Sequence, residues 1–317
     1  MRNPFLLFTL LLPVFVRAQQ ADTMLILQQA FADYKEGRLA TAFETTNKLI
    51  AHYPGRADFY DLRGDIQLKM KDYEHALGDF TRAIELIPGN PLFYHHRAIL
   101  FYTFQMPDEA IKDNDSALAH IIKDDTFKYD IITNRGNAKN MKRDFQGAYD
   151  DYMLALNFDS TSPAVLVNIS AVLDDLNRGD EAFRYLERMI RLHPNDVGGY
   201  GNLGFRYMDK GEYEKAIELF NKVLRLSPKD PLGFNNRGYA EYKLNKLSLA
   251  LQDINRSLEL YPENSFAYKN RALVYLAMKD REKACADLEK AETAGFTQMY
   301  GDEVKKLRLE YCLTKAL

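Results

Sequence analysis

Residues 197–230 read VGGYGNLGFRYMDKGEYEKAIELFNKVLRLSPKD, and this stretch decides the fold. Tyr200, Leu203, Gly204 and Tyr207 share one helical stripe, since residues three and four apart lie on the same helix face. Gly211 breaks that helix, Tyr213, Ala216, Phe220 and Val223 form a second stripe, and Pro228 ends it. Moving outward by 34 residues reproduces the pattern, most visibly at Asn134, Asn168, Asn202, Asn236 and Asn270. A fixed period of this length means one helical hairpin used repeatedly.

The unit resembles the tetratricopeptide repeat (TPR), whose pattern places large residues at positions 4, 11 and 24, small ones at 8 and 27, Ala at 20 and Pro at 32. Small residues at 8 and 20 let two helices approach closely, and the large ones fill the space between neighbours. The same register fits eight segments, which begin at Thr23, Ala57, Pro91, Tyr129, Pro163, Val197, Pro231 and Ser265. Repeats one to three occupy 23–124, an insertion Asp125 to Lys128 follows, and repeats four to eight occupy 129–298. The first repeat is the weakest copy, with Asp33 where a large residue is expected. The resemblance implies an all-α, right-handed superhelical solenoid. Residues 299–317 are predicted to cap it, with Asp302 to Thr314 as one helix whose Val304, Leu307, Leu309 and Tyr311 cover the edge of repeat eight.

The first eighteen residues read as a signal peptide. Arg2 gives a basic start, Phe5 to Val16 is apolar apart from Thr9 and Pro13, and Val16-Arg17-Ala18 predicts cleavage before Gln19. The apolar run is shorter than the roughly 20 residues a spanning helix needs. The expected location is therefore periplasmic or extracellular, in an envelope-associated complex. Hydrophobic and charged fractions of 46% and 27% are those of a folded soluble chain. The formal net charge is −3, and loss of Arg2 and Arg17 takes it to −5, which argues against nucleic acid or an anionic membrane as partner. Export permits a disulfide between Cys285 in repeat eight and Cys312 in the cap; two buried thiols are the alternative.

Arg occupies position 7 in five repeats, as Arg63, Arg97, Arg135, Arg237 and Arg271. Asp occupies position 23 in the same five, as Asp79, Asp113, Asp151, Asp253 and Asp287. The other three repeats have neither. Matched absence predicts a structural pair joining the two helices of a repeat, with the planar guanidinium on the carboxylate.

In the family the first helix of each repeat lines the binding groove, and the asparagine column falls at position 6 of that wall. An Asn amide both donates and accepts, so it can pair with peptide main chain whatever the side chains. The column resembles asparagine ladders with which members of the family grip peptides; bonding of these asparagines to neighbouring repeats or to water is the alternative. Around it the wall is polar in repeats two and four (Asp58, Asp61 and Asp65; Asp130, Thr133, Asn137 and Asn140). It turns apolar in repeats six to eight, where Phe205, Met208, Leu232, Tyr239, Tyr242, Phe266 and Leu273 are candidate anchors. His95 and His96 suggest no metal site on sequence alone, because only Tyr102 neighbours them. The carboxylate clamp of chaperone-binding members is not carried over, Lys269 being the only strong base at positions 2 and 5.

No nucleophile elbow, zinc-helix motif, phosphate loop or C-x-x-C is present, so neither catalysis nor a cofactor is expected. Two functions remain. One is an exported scaffold binding a protein or extended peptide through Asn134, Asn168, Asn202, Asn236 and Asn270. The other is a binder of a cell-wall glycan, stacking sugar on Tyr239 and Tyr242 in repeats six to eight.

Overall fold

The computed structural model describes residues 22–121 and 125–313. The expected signal peptide and its cleavage before Gln19 lie outside these residues, as does Thr314 at the end of the expected cap. Every regular element described is helical, and consecutive helices pair as hairpins. The chain divides into two compact units between Ser160 and Thr161, after repeat four rather than at the insertion.

The first unit holds α1 (22–35), α2 (Leu39–His52), α3 (Ala57–Lys69), α4 (Tyr73–Leu86), α5 (Pro91–Thr103), α6 (Pro107–His120), α7 (Asp125–Met141) and α8 (Phe145–Ala155). The insertion is helical: it lengthens α7 to 17 residues, where α3 and α5 have 13. The second unit holds α9 (Pro163–Asp175), α10 (Gly179–Leu192), α11 (Val197–Asp209), α12 (Tyr213–Leu226), α13 (Pro231–Lys243), α14 (Leu247–Leu260), α15 (Ser265–Ala277) and α16 (Arg281–Thr293). No described helix is long and apolar enough to cross a membrane.

Helix starts are set by position 34 of the preceding repeat. Asn90, Ser162, Asp196, Asp230 and Asn264 each accept a backbone N–H of the helix that follows, satisfying a donor without an intrahelical partner. The turn between paired helices has left-handed backbone at position 15 in all eight repeats. Gly37 and Gly211 take it freely, while Lys71, Gln105, Arg143, Asn177, Asn245 and Lys279 take it at φ between 56° and 68°.

Close packing within a hairpin depends on positions 8 and 24 together. A Cβ on Gly64, Gly136, Gly204 or Gly238 would come within 2.6–2.8 Å of Phe80, Tyr152, Phe220 or Ile254. Where position 8 carries Ala or Ser (Ala30, Ala98, Ser170, Ala272), position 24 is Thr46, Asn114, Leu186 or Leu288. An aromatic ring at position 24 is therefore present only where glycine at position 8 makes room for it.

The expected single capping helix is divided. Gly295 (φ 83°) ends α16, α17 (Phe296–Tyr300) follows, Gly301 (φ 91°) turns the chain, and α18 (Glu303–Arg308) runs into a π-helical turn at Leu309–Leu313. Val304 and Phe296 are buried against Ala272, Ala284, Leu288 and Ala291, with Leu307 packed beside them. Leu309 and Tyr311 do not cover repeat eight as expected. They are 59% and 38% exposed, because the π turn carries them off the covering face. Cys285 and Cys312 are joined, their Cα atoms 5.6 Å apart, tying that turn to α16.

Candidate functional site

The five arginines frame the wall on which the site is built. Each donates Nε and Nη2 to the two carboxylate oxygens of its position-23 aspartate at 2.6–2.9 Å. The aspartate hydrogen bond raises the pKa of Arg63 and Arg237 against opposing burial. Nη1 adds a bond that the sequence reading missed. It goes to position 25 of the preceding repeat, which is Asn47, Thr81, Asp115, Asn221 and Asn255 in turn. A signal existed in the sequence: position 25 is Met153 or Glu187 before the repeats that lack the arginine. Each guanidinium thus joins its own hairpin and the one before it.

The asparagine column does not share one environment. Asn134 is half-buried on α7 in the first unit, and Asn168 is half-buried on α9 in the second. Asn270 is 1% exposed, and its Nδ2 donates to Asn235 Oδ1 at 3.0 Å. Asn270 is therefore removed from the set of peptide contacts, since it lies between α13 and α15 where these helices touch. In this pair position 6 of one repeat meets position 5 of the preceding repeat, 35 residues earlier. His96 meets Asp61 by the same rule, at 2.8 Å.

That rule explains what stays open. Thirty-five residues before Asn236 stands Gly201, and a Cβ there would meet nothing within 4 Å. The missing side chain leaves a cleft of about 260 Å³, lined by Asn202, Asn236, Gly198 and Gly201 with Phe205 and Leu232 among its walls. Asn202, Phe205 and Leu232 are exposed, the last two at 49% and 57%. Asn236 accepts one hydrogen bond, from Asn235 at 3.1 Å. Two amides beside exposed apolar side chains over a glycine floor suit an extended main chain with one apolar residue.

Tyr239 and Tyr242 do not line this cleft. Both are half-buried, their rings tilted with centroids 6.0 Å apart, and they pack on separate parts of the core. Tyr239 also faces Lys269, whose ammonium lies 4.6 Å from the Phe266 centroid, 5.5 Å from Tyr239 and 5.8 Å from Phe296. Glu303 of α18 reaches the same ammonium at 3.4 Å, and burial lowers its pKa. The sugar-stacking role expected of the two tyrosines would therefore fall outside this cleft, on half-buried rings.

In the first unit, Asp61, Asp65 and His96 bring ligand-type atoms within 4.8 Å of one another, a set able to hold a cation. The sequence reading saw the aspartates and the histidine separately, since the offset of 35 residues joins them only in space. His95 takes no part. It is 7% exposed, lies edge-on to Phe127 at 5.4 Å, and burial pushes its pKa down to about 4.

Family models described as TPR repeat and Tetratricopeptide repeat match residues 204–245, and residues 57–90 and 267–294, respectively. Superkiller complex protein 3 of Mus musculus is 24% identical over 235 residues, covering 61% of this chain and 15% of its own length. Hsc70-interacting protein 1 of Drosophila melanogaster is 34% identical over 87 residues, 27% of this chain and 22% of that one. The chain thus spans about 15% of the length of the curated relatives it matches first. Among solved structures, the APC/C hetero-tetramer Cut9-Hcn1 superposes with a TM-score of 0.60 at 18% identity, covering 90% of this chain and 55% of that chain. At that identity the likeness is one of fold.

Proposed function

We propose that this chain, a solenoid of tetratricopeptide repeats, is a non-catalytic scaffold that holds an extended segment of a partner protein in the cleft between α11 and α13. The observation that carries the reading is Gly201, which opens the wall where Asn202 and Asn236 present amides beside Phe205 and Leu232. Backbone amides of a peptide would pair with the two asparagines, and one apolar side chain would lie against Phe205 and Leu232. The name of Hsc70-interacting protein 1 supports a protein partner for a chain with such repeats.

The test selects peptides from a random linear library on the wild-type chain and measures the best of them by calorimetry. Gly201→Leu fills the cleft, and its Cβ meets nothing, so the fold is expected to stay intact. Binding should fall at least tenfold in that variant and in Asn202→Ala/Asn236→Ala. Unchanged affinity in a folded Gly201→Leu chain refutes the reading.

Export is part of the same proposal. It is supported by the apolar run Phe5 to Val16 and by the joined cysteines, since disulfides persist in oxidising compartments. Mass spectrometry of the mature chain should find Gln19 at its start. A cytoplasmic protein retaining Met1 to Ala18 overturns this part.

A further inference from the structure

A second pocket lies in the first unit between α1, α3 and α5, with a volume of about 450 Å³. Leu27, Phe31, Leu62 and Leu92 form apolar walls, and Asp58, Asp61, Asp65 and His96 lie on its polar side. Phe31 and Leu92 are 47% and 36% exposed, so the walls are open to a partner. We propose that this pocket receives the basic side chain of a partner peptide, its hydrocarbon stem against Phe31 and Leu92 and its charged head on Asp65.

The carboxylates are not equally occupied. Asp58 is paired with Arg56, and Asp61 with His96 at 2.8 Å. Asp65 has one cation within 4 Å among the described residues, His96 at 3.6 Å, although its side chain is only 20% exposed. The nearby lysines are turned to aromatic rings. Lys35 lies 5.0 Å from the Phe31 centroid, and Lys69 lies 3.9 Å from that of Tyr34. Asp65 therefore faces the pocket with His96, at 3.6 Å, as its one close cation, and that contact, shared with Asp61, offsets only part of its loss of water.

Charge and shape together select the occupant. A lysine or arginine carries an apolar stem behind a charged head, which matches apolar walls ending at a carboxylate. A divalent ion would use Asp61, Asp65 and His96 and leave the walls around Phe31 and Leu92 uncovered. A neutral apolar side chain would bury Asp65 further without pairing it.

Burial pushes Asp65 up to about 6, with the carboxylate of Asp61 adding to it and His96, Lys69 and Lys35 opposing. For His96, burial disfavours charge, but the bond to Asp61 and the charges of Asp61 and Asp65 together outweigh it and the pKa is raised. Burial pushes Tyr34 up to about 12.

The inference rests on the peptide-scaffold reading but concerns a different pocket, and the variants separate the two. The full chain is titrated by NMR with acetyl-Leu-Arg-Leu-amide and with the same peptide carrying citrulline for arginine. The arginine peptide should saturate with shifts at His96. Binding should fall at least tenfold for the citrulline peptide and in Asp65→Asn. Phe31→Ala, at an exposed position, should also weaken it and serves if Asp65→Asn fails to fold. Asn202→Ala/Asn236→Ala should bind the arginine peptide as wild type does. Equal binding of the citrulline peptide overturns the proposal. So does unchanged binding in folded Asp65→Asn.

Discussion

Replacing Arg237 with methionine removes one guanidinium and tests what the column of five arginines does. Arg237 donates to Asp253 at 2.6 and 2.8 Å and to Asn221 at 2.7 Å. Its side chain is 23% exposed, and that of Asp253 is 9% exposed. Losing one partner of a buried pair costs about 3–5 kcal/mol, because the other charge is left without compensation. The partly exposed guanidinium puts Arg237→Met at the lower end, about 3 kcal/mol. Asp253→Leu should cost less, about 1.5 kcal/mol, since the freed arginine can reach water. The double variant should also cost about 1.5 kcal/mol, as an apolar pair fills the space without a buried charge. Repeat six already has Leu203 and Leu219 at these positions. The coupling is then about 3 kcal/mol. Asn221→Ala should cost about 1 kcal/mol, the worth of one hydrogen bond to a charged group that retains its other partners. A solenoid opens repeat by repeat, so a single melting temperature averages over events. Native-state hydrogen exchange of α13 and α14 amides reads the local term. A cost below about 0.5 kcal/mol for Arg237→Met, or no coupling with Asp253→Leu, refutes the pairing as the device that fixes the hairpin.

Glu241 is 8% exposed with Oε2 unpaired, and burial pushes its pKa up to about 7, Asp253 adding to the rise. A folded pKa above the unfolded one means the carboxyl opposes folding once pH passes the unfolded value, most fully above 7. Glu241→Gln should therefore stabilise α13 by about 1–2 kcal/mol at pH 8 and by little at pH 4, and equal effects at both pH values would contradict this. Lys279 holds φ 63° in the turn before α16, so Lys279→Gly should stabilise repeat eight by about 0.5–1 kcal/mol. Thermal denaturation decides, and a loss of stability is the contrary result. Reducing the Cys285–Cys312 bond, which spans 27 residues, removes about 3–4 kcal/mol of constraint from the unfolded chain. Exchange should accelerate in α18 and the π turn and remain unchanged in the first unit; uniform acceleration would show that the bridge is not a local staple.

The hairpins and the arginine–aspartate columns were legible because they are relations within one period. Position 7 and position 23 lie 16 residues apart in every repeat, and matched absence in three repeats exposed the pairing of the other five. The acceptor at position 25 was equally present in the sequence, but it belongs to the preceding repeat. A reading confined to single repeats passes over it. The cap was legible as apolar residues near the end, although Gly301 divides it and its π turn exposes Leu309 and Tyr311. The candidate site was half legible. The asparagines stood out by period, while the feature that opens the cleft is the side chain absent at Gly201.

By itself the sequence determined the 34-residue unit, the two helices in each and the pairing that fixes them. All of these follow from helical period, turn residues and contacts within one hairpin. Only the tertiary structure decided which members of a column reach solvent. Packing neighbouring repeats sets position 6 against position 5 of the unit before, 35 residues away. What stands there determines each outcome: Asn235 covers Asn270, Asp61 engages His96, and Gly201 leaves Asn236 beside an open cleft. A repeat period specifies which positions are equivalent, but exposure depends on the volume of the neighbour across the interface, and that volume differs at every junction.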